Sequence, residues 1–249
     1  MVGMEAGPRA KRIRVGEVIG ETFSIYGRNF GALIGAAFLL FLVVGILTAL
    51  LSGPARDELS WGELALVLLA IIIRVAAEAL YTGFVVKLVQ GAETERGRRA
   101  SVGSLFSSAA PAIPALIVMS ILLGIGVGIG LILLVIPGLI LLTIWAVTAP
   151  AIVVEGAGPV ESFGRSHQLV RGDGWSVFWT IVVVWLITAL ITGVLGLIGD
   201  AISGVAYGVA LSIAAFVTAP IHALAVSVMF FNLGGGSPAP APGSPAPAS

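Results

Sequence analysis

Arg74 and Glu78 are the residues of this sequence whose types and spacing most directly suggest chemistry. They interrupt an apolar stretch, residues 64–86, and lie four positions apart, so a helix would place them on one face at ion-pair distance. Charges near the middle of a membrane are costly unless they are paired or face the protein interior or a water-filled cavity. The pair therefore suggests two alternatives, an internal structural ion pair or part of a pathway for a solute or proton.

His222 is the third ionisable candidate inside an apolar stretch, and it follows Pro220 by two residues. Pro220 has no backbone N–H, so the carbonyl one helical turn earlier needs another partner. The first interpretation of His222 is a hydrogen-bonding histidine of the core. The alternative is a proton relay, because an imidazole titrates at about pH 6.5. Arg74, Glu78 and His222 together form the candidate intramembrane polar site.

Glu155, Arg165 and Arg171 form a second candidate site, at the predicted boundary of the membrane. Glu155 ends a long uncharged stretch, and either arginine of the segment that follows is positioned in sequence to neutralise it. Ionisable residues at the ends of spans can reach water. The group is therefore either a structural anchor at the boundary or a site for a lipid headgroup.

Residue patterns typical of catalysis are missing from the sequence. The 249 residues include no cysteine and two histidines. Neither the H-E-x-x-H nor the G-x-S-x-G motif occurs, and the glycine-rich segment 124–130 lacks the Lys-Ser/Thr of a nucleotide-binding loop. We expect no enzymatic activity, no metal site and no cofactor.

The elements that must position these residues are membrane-spanning helices. Hydrophobic residues make up 58% of the chain and charged residues 10%, whereas soluble proteins contain about 25% charged residues. A span needs about 20 apolar residues, and the uncharged stretch 100–154 is long enough for two, with a turn between Gly130 and Gly138. The sequence predicts an all-α polytopic integral membrane protein with six transmembrane helices, at about residues 32–51, 64–86, 112–134, 137–154, 175–198 and 205–231.

The positions of the basic residues predict the orientation. Of the 13 lysines and arginines, 11 flank the spans on the side of the N-terminus, whereas Arg56 lies on the opposite side and Arg74 lies within a span. Basic residues near span ends stay in the cytoplasm, so we expect a multi-pass protein of the plasma (inner) membrane with both termini cytoplasmic. Residues 1–14 are then a basic cytoplasmic N-terminus, 15–233 the membrane domain, and 234–249 a disordered Gly/Pro/Ala/Ser tail.

An amphipathic segment precedes the first, third and fifth spans, most weakly before the third. In the first copy the apolar stripe contains Val15, Val18, Ile19, Thr22, Phe23, Tyr26 and Phe30, and before the fifth span it contains Val160, Phe163, His167 and Val170. A shift of 144 residues aligns Glu17 with Glu161 and Thr22 with Ser166. The sequence thus predicts three repeats, each a surface amphipathic helix followed by a two-span hairpin.

Two of these segments carry a family resemblance. Val15–Phe30, VGEVIGETFSIYGRNF, and Ile136–Trp175, IPGLILLTIWAVTAPAIVVEGAGPVESFGRSHQLVRGDGW, resemble the membrane domain associated with bacterial glycerophosphoryl diester phosphodiesterases and its stand-alone relatives. The resemblance extends over about Val15–Leu233 and implies a setting near glycerophospholipid metabolism. It does not imply hydrolase activity, because this sequence consists of membrane helices and lacks the family's soluble catalytic barrel.

The sequence leaves two hypotheses about function. The first is an integral membrane scaffold or accessory protein without intrinsic catalysis, associated with lipid or glycerophosphodiester metabolism. The second is a small-solute or lipid transporter that uses Arg74 and Glu78. The expected partners are membrane lipids and another membrane protein or a second copy of the chain. Nucleic acid is not expected, because the formal net charge is zero.

Overall fold

A computed structural model describes residues 13–51, 61–94 and 101–236, and every regular element in these ranges is a helix. The α-helices are α1 (Val15–Arg28), α2 (Phe30–Leu51), α3 (Trp61–Thr94), α4 (Val102–Ala109), α5 (Ile113–Leu133), α6 (Val135–Ile144), α7 (Thr148–Glu155), α8 (Glu161–Val170), α9 (Gly174–Ile202) and α10 (Gly204–Asn232). Most of the predicted basic N-terminus, the loop with Arg56, and the basic residues at 96, 98 and 99 lie outside the described ranges.

Within the described ranges, six helical segments are long and apolar enough to cross a membrane. Spans one to six are Phe30–Leu47, Leu69–Gly91, Val102–Leu133, Val135–Glu155, Gly174–Ile202 and Gly204–Asn232. Helices satisfy their backbone hydrogen bonds internally, as a hydrocarbon environment requires. The predicted all-α, six-span class is confirmed.

In two of the hairpins, a single residue connects the paired helices. Leu134 separates α5 from α6, inside the interval where the sequence predicts the turn, and Ser203 separates α9 from α10. Both residues have extended backbone, so the paired helices approach each other at once. At Gly199 a Cβ atom would lie 2.7 Å from the carbonyl oxygen of Ala206. Glycine is therefore required at this approach for steric reasons.

Replacing Gly199 with alanine is expected to lower the free energy of unfolding by about 1–3 kcal/mol, because the methyl group would push the backbones of α9 and α10 apart. Gly208 is the matched control, since a Cβ there meets no atom within 4 Å. Gly208→Ala should be neutral or slightly stabilising, because alanine favours helix more than glycine does. Reversible unfolding in mixed micelles measures both variants, and equal losses would contradict the steric explanation.

The surface helices α1 and α8 precede spans one and five, and α4 forms the first part of span three. Successive spans cross in opposite directions, so these three helices lie at one end of the bundle, which we call the surface-helix end. The middle copy, α4, differs from α1 and α8 because it continues into the span that follows it. A 3-10 turn, Ala110–Ala112, joins α4 to α5, and the whole segment forms span three.

Each surface helix packs against the second span of a neighbouring repeat. Phe106 of α4 stacks on Phe84 of α3 with 4.6 Å between ring centroids. Phe163 of α8 contacts Trp145 of span four at 4.8 Å. The α1 helix packs against span six, where the Tyr26 hydroxyl donates to the carbonyl oxygen of Val217 at 3.2 Å. The three repeats therefore close into a ring in which the first and last are neighbours.

The buried stripes of α1 and α8 correspond under the 144-residue shift at two of three positions. They consist of Val18, Thr22 and Ile25 on α1 and of Ser162, Ser166 and Val170 on α8. Of the apolar stripe that the sequence predicts for the segment before span five, Val170 is buried, whereas Val160 and His167 are exposed. The α8 helix buries small serine side chains as well, so its buried face is not marked by hydrophobicity alone.

Span four, which the sequence places at about residues 137–154, is interrupted. The α6 helix ends at Ile144, α7 begins at Thr148, and the three residues between them form a turn. Pro150 lacks the N–H that would bond to the carbonyl of Ala146, so the helical hydrogen-bond ladder is incomplete at this point. The interruption lies where α8 contacts the span.

The largest core cluster lies toward the surface-helix end. Fully buried members include Leu33, Phe84, Leu224, Met229 and Phe230, which come from spans one, two and six. Large apolar side chains nearer the hairpin turns are instead exposed, among them Leu66, Ile72, Ile132, Leu190 and Leu197. The spans are thus tightly packed at the surface-helix end and present apolar surface toward the other end.

Candidate functional site

Arg74 and Glu78 make the ion pair that their spacing predicts. Arg74 Nε donates to Glu78 Oε1 at 3.1 Å, and the side chains are 75% and 53% exposed. In span two, Leu69–Gly91, Arg74 lies five residues after the start and Glu78 lies two residues before the midpoint. The pair is therefore in the N-terminal half of span two and is exposed, whereas the core around Phe84 is closed.

His222 lies on an exposed part of α10 and forms a hydrogen bond with α9. Its Nε2 is 3.1 Å from the hydroxyl of Thr188, which also donates to the carbonyl oxygen of Val184 at 3.0 Å. The imidazole therefore links the two helices of the third hairpin. Since Arg74 bonds to Glu78 and His222 bonds to Thr188, the three predicted residues do not form one hydrogen-bonded site.

Glu155 and Arg165 are joined by two hydrogen bonds. Arg165 Nε donates to Glu155 Oε2 at 2.7 Å, and Arg165 Nη2 donates to Oε1 at 2.8 Å. The backbone N–H of Gly236 also donates to Oε1, at 3.0 Å. Hydrogen bonding to Glu155 raises the pKa of Arg165, which outweighs the opposing effect of burial. Both side chains are mostly buried, with 18% and 21% exposed.

This arrangement of Glu155, Arg165 and Gly236, which we call the Glu155 clamp, joins the end of α7, the middle of α8 and the segment after α10. Arg171 is exposed and does not take part. Gly234–Gly236 form a defined turn, in which Gly235 N–H donates to Phe230 at 2.9 Å, so the predicted disorder does not begin at residue 234. Because the carboxylate and guanidinium bind each other, the geometry favours the structural anchor over the headgroup site.

Ser166 binds the backbone groups at the interruption of span four, a role that sequence reasoning did not assign to it. Its hydroxyl donates to the carbonyl oxygen of Ile144 at 2.8 Å and accepts from the N–H of Val147 at 3.2 Å. These backbone groups flank the break, and Ser166 is fully buried. The alignment of Ser166 with another hydroxyl residue, Thr22, is the sequence feature that could have indicated this role.

Thr22 is as buried as Ser166, but its hydroxyl has no hydrogen-bond partner among the described residues. The difference follows from the spans that the two surface helices contact. Span four is broken, and the backbone groups at the break bond to Ser166. The α10 helix is continuous over Gly204–Asn232 and contains Pro220, and its Val217 carbonyl accepts a hydrogen bond from Tyr26 of α1, not from Thr22. The same repeat position therefore carries a satisfied hydroxyl in one copy and an unsatisfied one in the other.

Replacing Thr22 with valine is expected to raise the free energy of unfolding by about 1 kcal/mol, because valine has nearly the same shape and removes an unsatisfied buried hydroxyl. Thermal unfolding in detergent measures the change. Thr180→Val is the control, because that buried hydroxyl donates to the carbonyl oxygen of Ser176 at 2.8 Å. A loss of stability in Thr22→Val as large as in the control would show that Thr22 has a polar partner.

A groove of about 460 Å³ lies between α9 and α10 near their turn. It is lined by Thr192, Gly193, Gly196, Leu197, Asp200, Tyr207 and Leu211. Within the described ranges, no group of three or more histidine, aspartate and glutamate side chains is arranged to hold a metal ion.

Comparison with known proteins gives no match to a family model, to a curated protein or to a solved structure. The class of protein is therefore defined by the fold itself, an all-α membrane protein with six helices long enough to span the bilayer. Its polar groups are distributed over an exposed ion pair in span two, a histidine link in the third hairpin and the Glu155 clamp.

Proposed function

We propose that this protein is an integral membrane scaffold or accessory protein without catalytic activity of its own. Its surface-helix end contacts lipid headgroups or a partner protein. The observation that carries the proposal is that α1 and α8 each bury one face against the spans and expose the other. Each buries a stripe containing a hydroxyl residue, Thr22 or Ser166, and leaves polar residues such as Ser24 and Gln168 exposed.

The position of the other polar groups supports the same proposal. A solute pathway needs polar side chains between the spans, but the centre of the main cluster contains Phe84 and Phe230, both fully buried. Arg74, Glu78 and His222 are on exposed faces. An exposed polar group inside a span suits contact with a neighbour in the membrane.

The setting in lipid metabolism is the second part of the proposal, and it depends on the resemblance carried by Val15–Phe30 and Ile136–Trp175. The proposed location is the plasma membrane, with the surface-helix end in the cytoplasm. This orientation depends on the bias of basic residues toward that end.

Single cysteines test the proposed surface, because the chain has none of its own. Ser24→Cys and Gln168→Cys should react with a membrane-impermeant maleimide in inverted vesicles and not in intact cells. Asp200→Cys, near the opposite end, is the control and should react only from outside. We also expect Ser24→Cys and Gln168→Cys to react more slowly in native vesicles than in purified protein in nanodiscs. Equal rates would contradict a partner protein on this surface, because nanodiscs supply lipid headgroups but no other protein.

The alternative function, transport of a small solute or lipid, is favoured by the interruption of span four. Broken helices build binding sites near the midplane in many transporters. In this protein the groups at the break are bonded to Ser166. Transport that uses the ion pair requires flux into proteoliposomes to stop in the folded double variant Arg74→Leu, Glu78→Leu, so unchanged flux would exclude a role for the pair.

A further inference from the structure

We propose that the second hairpin, formed by α5, α6 and α7, ends inside the apolar layer of the membrane and does not emerge on the far side. Its turn at Leu134 is then covered by lipid acyl chains of the leaflet opposite the surface-helix end. Lipid hydrocarbon is the one partner that this inference assigns to the turn. The turn lies away from the surface-helix end, so the inference stands or fails independently of the scaffold proposal.

The first argument is the composition of the turn. Residues 121–142 contain no polar side chain. The large aliphatic side chains around the turn, Ile132, Leu133, Leu134, Val135 and Ile136, are 62–88% exposed. Contact of aliphatic side chains with water is costly, and turns that lie in water normally carry polar residues. Contact with hydrocarbon instead of water removes this cost.

The turn of the third hairpin has the polar groups that the second one lacks. Asp200 is exposed three residues before Ser203, the residue that connects α9 to α10. The Ser203 hydroxyl caps α10 by accepting from the N–H of Ala206 at 3.1 Å. By contrast, no side chain among the described residues caps α6, which begins after Leu134. The third hairpin is therefore suited to headgroups and water at its turn, and the second hairpin is not.

The second argument is the length of the two hairpins, measured from a common level. At the Glu155 clamp, the end of α7 is joined to Gly236, in the segment after α10, by a hydrogen bond of 3.0 Å. Span four has 21 residues and span six has 29, which correspond to about 31 Å and about 43 Å of helix. The second hairpin therefore turns about 12 Å before the third.

These lengths compare directly with the thickness of the bilayer. The hydrocarbon core is about 30 Å thick. A hairpin of about 31 Å that starts at the boundary, where Glu155 and Arg165 lie, reaches no further than the opposite edge of that core, and tilt shortens its reach. The additional length of the third hairpin carries Asp200 and Ser203 into the headgroup layer. Length and composition thus place the two turns at different depths.

The backbone at the turn is compatible with this depth. Pro137 lies in the first turn of α6, so one of the N–H groups that the start of a helix leaves unbonded is absent. The N–H of Leu134 donates to the carbonyl oxygen of Gly130 at 3.1 Å. The few backbone groups that remain lie at the edge of the core, where interfacial water can reach them.

Cysteine reactivity in native membranes tests the depth of the turn. Leu134→Cys and Ser203→Cys are matched, because each replaces the exposed residue that connects two helices of a hairpin. A water-soluble maleimide supplied to both faces of opened membranes should modify Leu134→Cys at least about tenfold more slowly, because the thiolate is the reactive form and apolar surroundings disfavour it. Both thiols should react equally fast in sodium dodecyl sulfate. Equal rates in native membranes would overturn the inference.

Quenching by brominated lipid separates lipid from protein as the cover of the turn. A fluorophore on Ile132→Cys of the purified protein should lose most of its emission in nanodiscs of lipid with brominated acyl chains, compared with unbrominated lipid. The same fluorophore on Asp200→Cys should be quenched several-fold less. Absence of quenching at Ile132→Cys, even with slow maleimide reaction at Leu134→Cys, would show that protein covers the turn. That result, or equal quenching at both sites, would overturn the inference and leave the scaffold proposal intact.

Discussion

Replacing Arg165 with leucine is expected to lower the free energy of unfolding by about 3 kcal/mol, because it leaves the mostly buried carboxylate of Glu155 without its counterion. The remaining partner of that carboxylate is the backbone N–H of Gly236. The loss should include release of the segment after α10 from the end of α7. Unfolding by denaturant, followed by tryptophan fluorescence, measures the free energy.

Two further variants separate the ion pair from a general effect of charge. Arg171→Leu removes an exposed arginine close to Arg165 in sequence and should change stability by less than about 0.5 kcal/mol. The double variant Glu155→Leu, Arg165→Leu should recover part of the loss, because no unpaired charge remains. If Arg171→Leu is as destabilising as Arg165→Leu, the Glu155 clamp does not hold these segments together.

Ser166→Ala is the second substitution with a large expected effect, a loss of about 2 kcal/mol. It removes the hydroxyl that bonds to both residues and leaves the partly buried carbonyl of Ile144 and the buried N–H of Val147 without this partner. We expect α8 to separate more readily from span four. Hydrogen exchange at the Val147 amide should therefore increase together with the loss of stability.

Ser162→Ala is the matched control, since Ser162 is also fully buried on α8. Its hydroxyl donates to Pro159 at 2.8 Å within the local turn, so its removal should cost about 1 kcal/mol and leave exchange at Val147 unchanged. Faster exchange at Val147 in Ser162→Ala, or none in Ser166→Ala, would show that Ser166 does not stabilise the interruption.

The fold class could be predicted from the sequence because hydropathy and span length respond to the same physical constraint, the thickness of the bilayer. The turn at Leu134 could also be predicted, since it lies between Gly130 and Gly138. The Arg74–Glu78 contact followed from helical periodicity alone. Each of these predictions concerns neighbours in the chain or a property averaged over a whole span.

The features of the structure that the sequence does not predict depend on contacts between distant segments. The break in span four involves Ser166, which is 19 residues from Val147, and the buried face of α8 is set by the backbone that it contacts. The exposure of Arg74 likewise depends on how the spans pack together. Hydropathy carries no information on such contacts. The contact of Ser166 with span four and the exposure of the Arg74–Glu78 pair could therefore not be predicted from the sequence.

The ring of repeats gives the polar contacts a common explanation. Surface helices α1 and α8 use equivalent positions, Thr22 and Ser166, against the second span of a neighbouring repeat. Only span four is broken there, and the Glu155 clamp lies next to that contact. The second and third repeats are thus joined more firmly by hydrogen bonds than the third and first, where Thr22 is unsatisfied.

Native mass spectrometry of the protein extracted in membrane nanodiscs tests the scaffold proposal most directly, because it measures the mass of the protein together with its bound lipids, solutes and partner proteins. The account predicts complexes of more than one polypeptide, with retained lipids and no stoichiometric small solute. A single chain that carries a specific solute, lost in the double variant Arg74→Leu, Glu78→Leu, would contradict the scaffold and establish the transporter alternative.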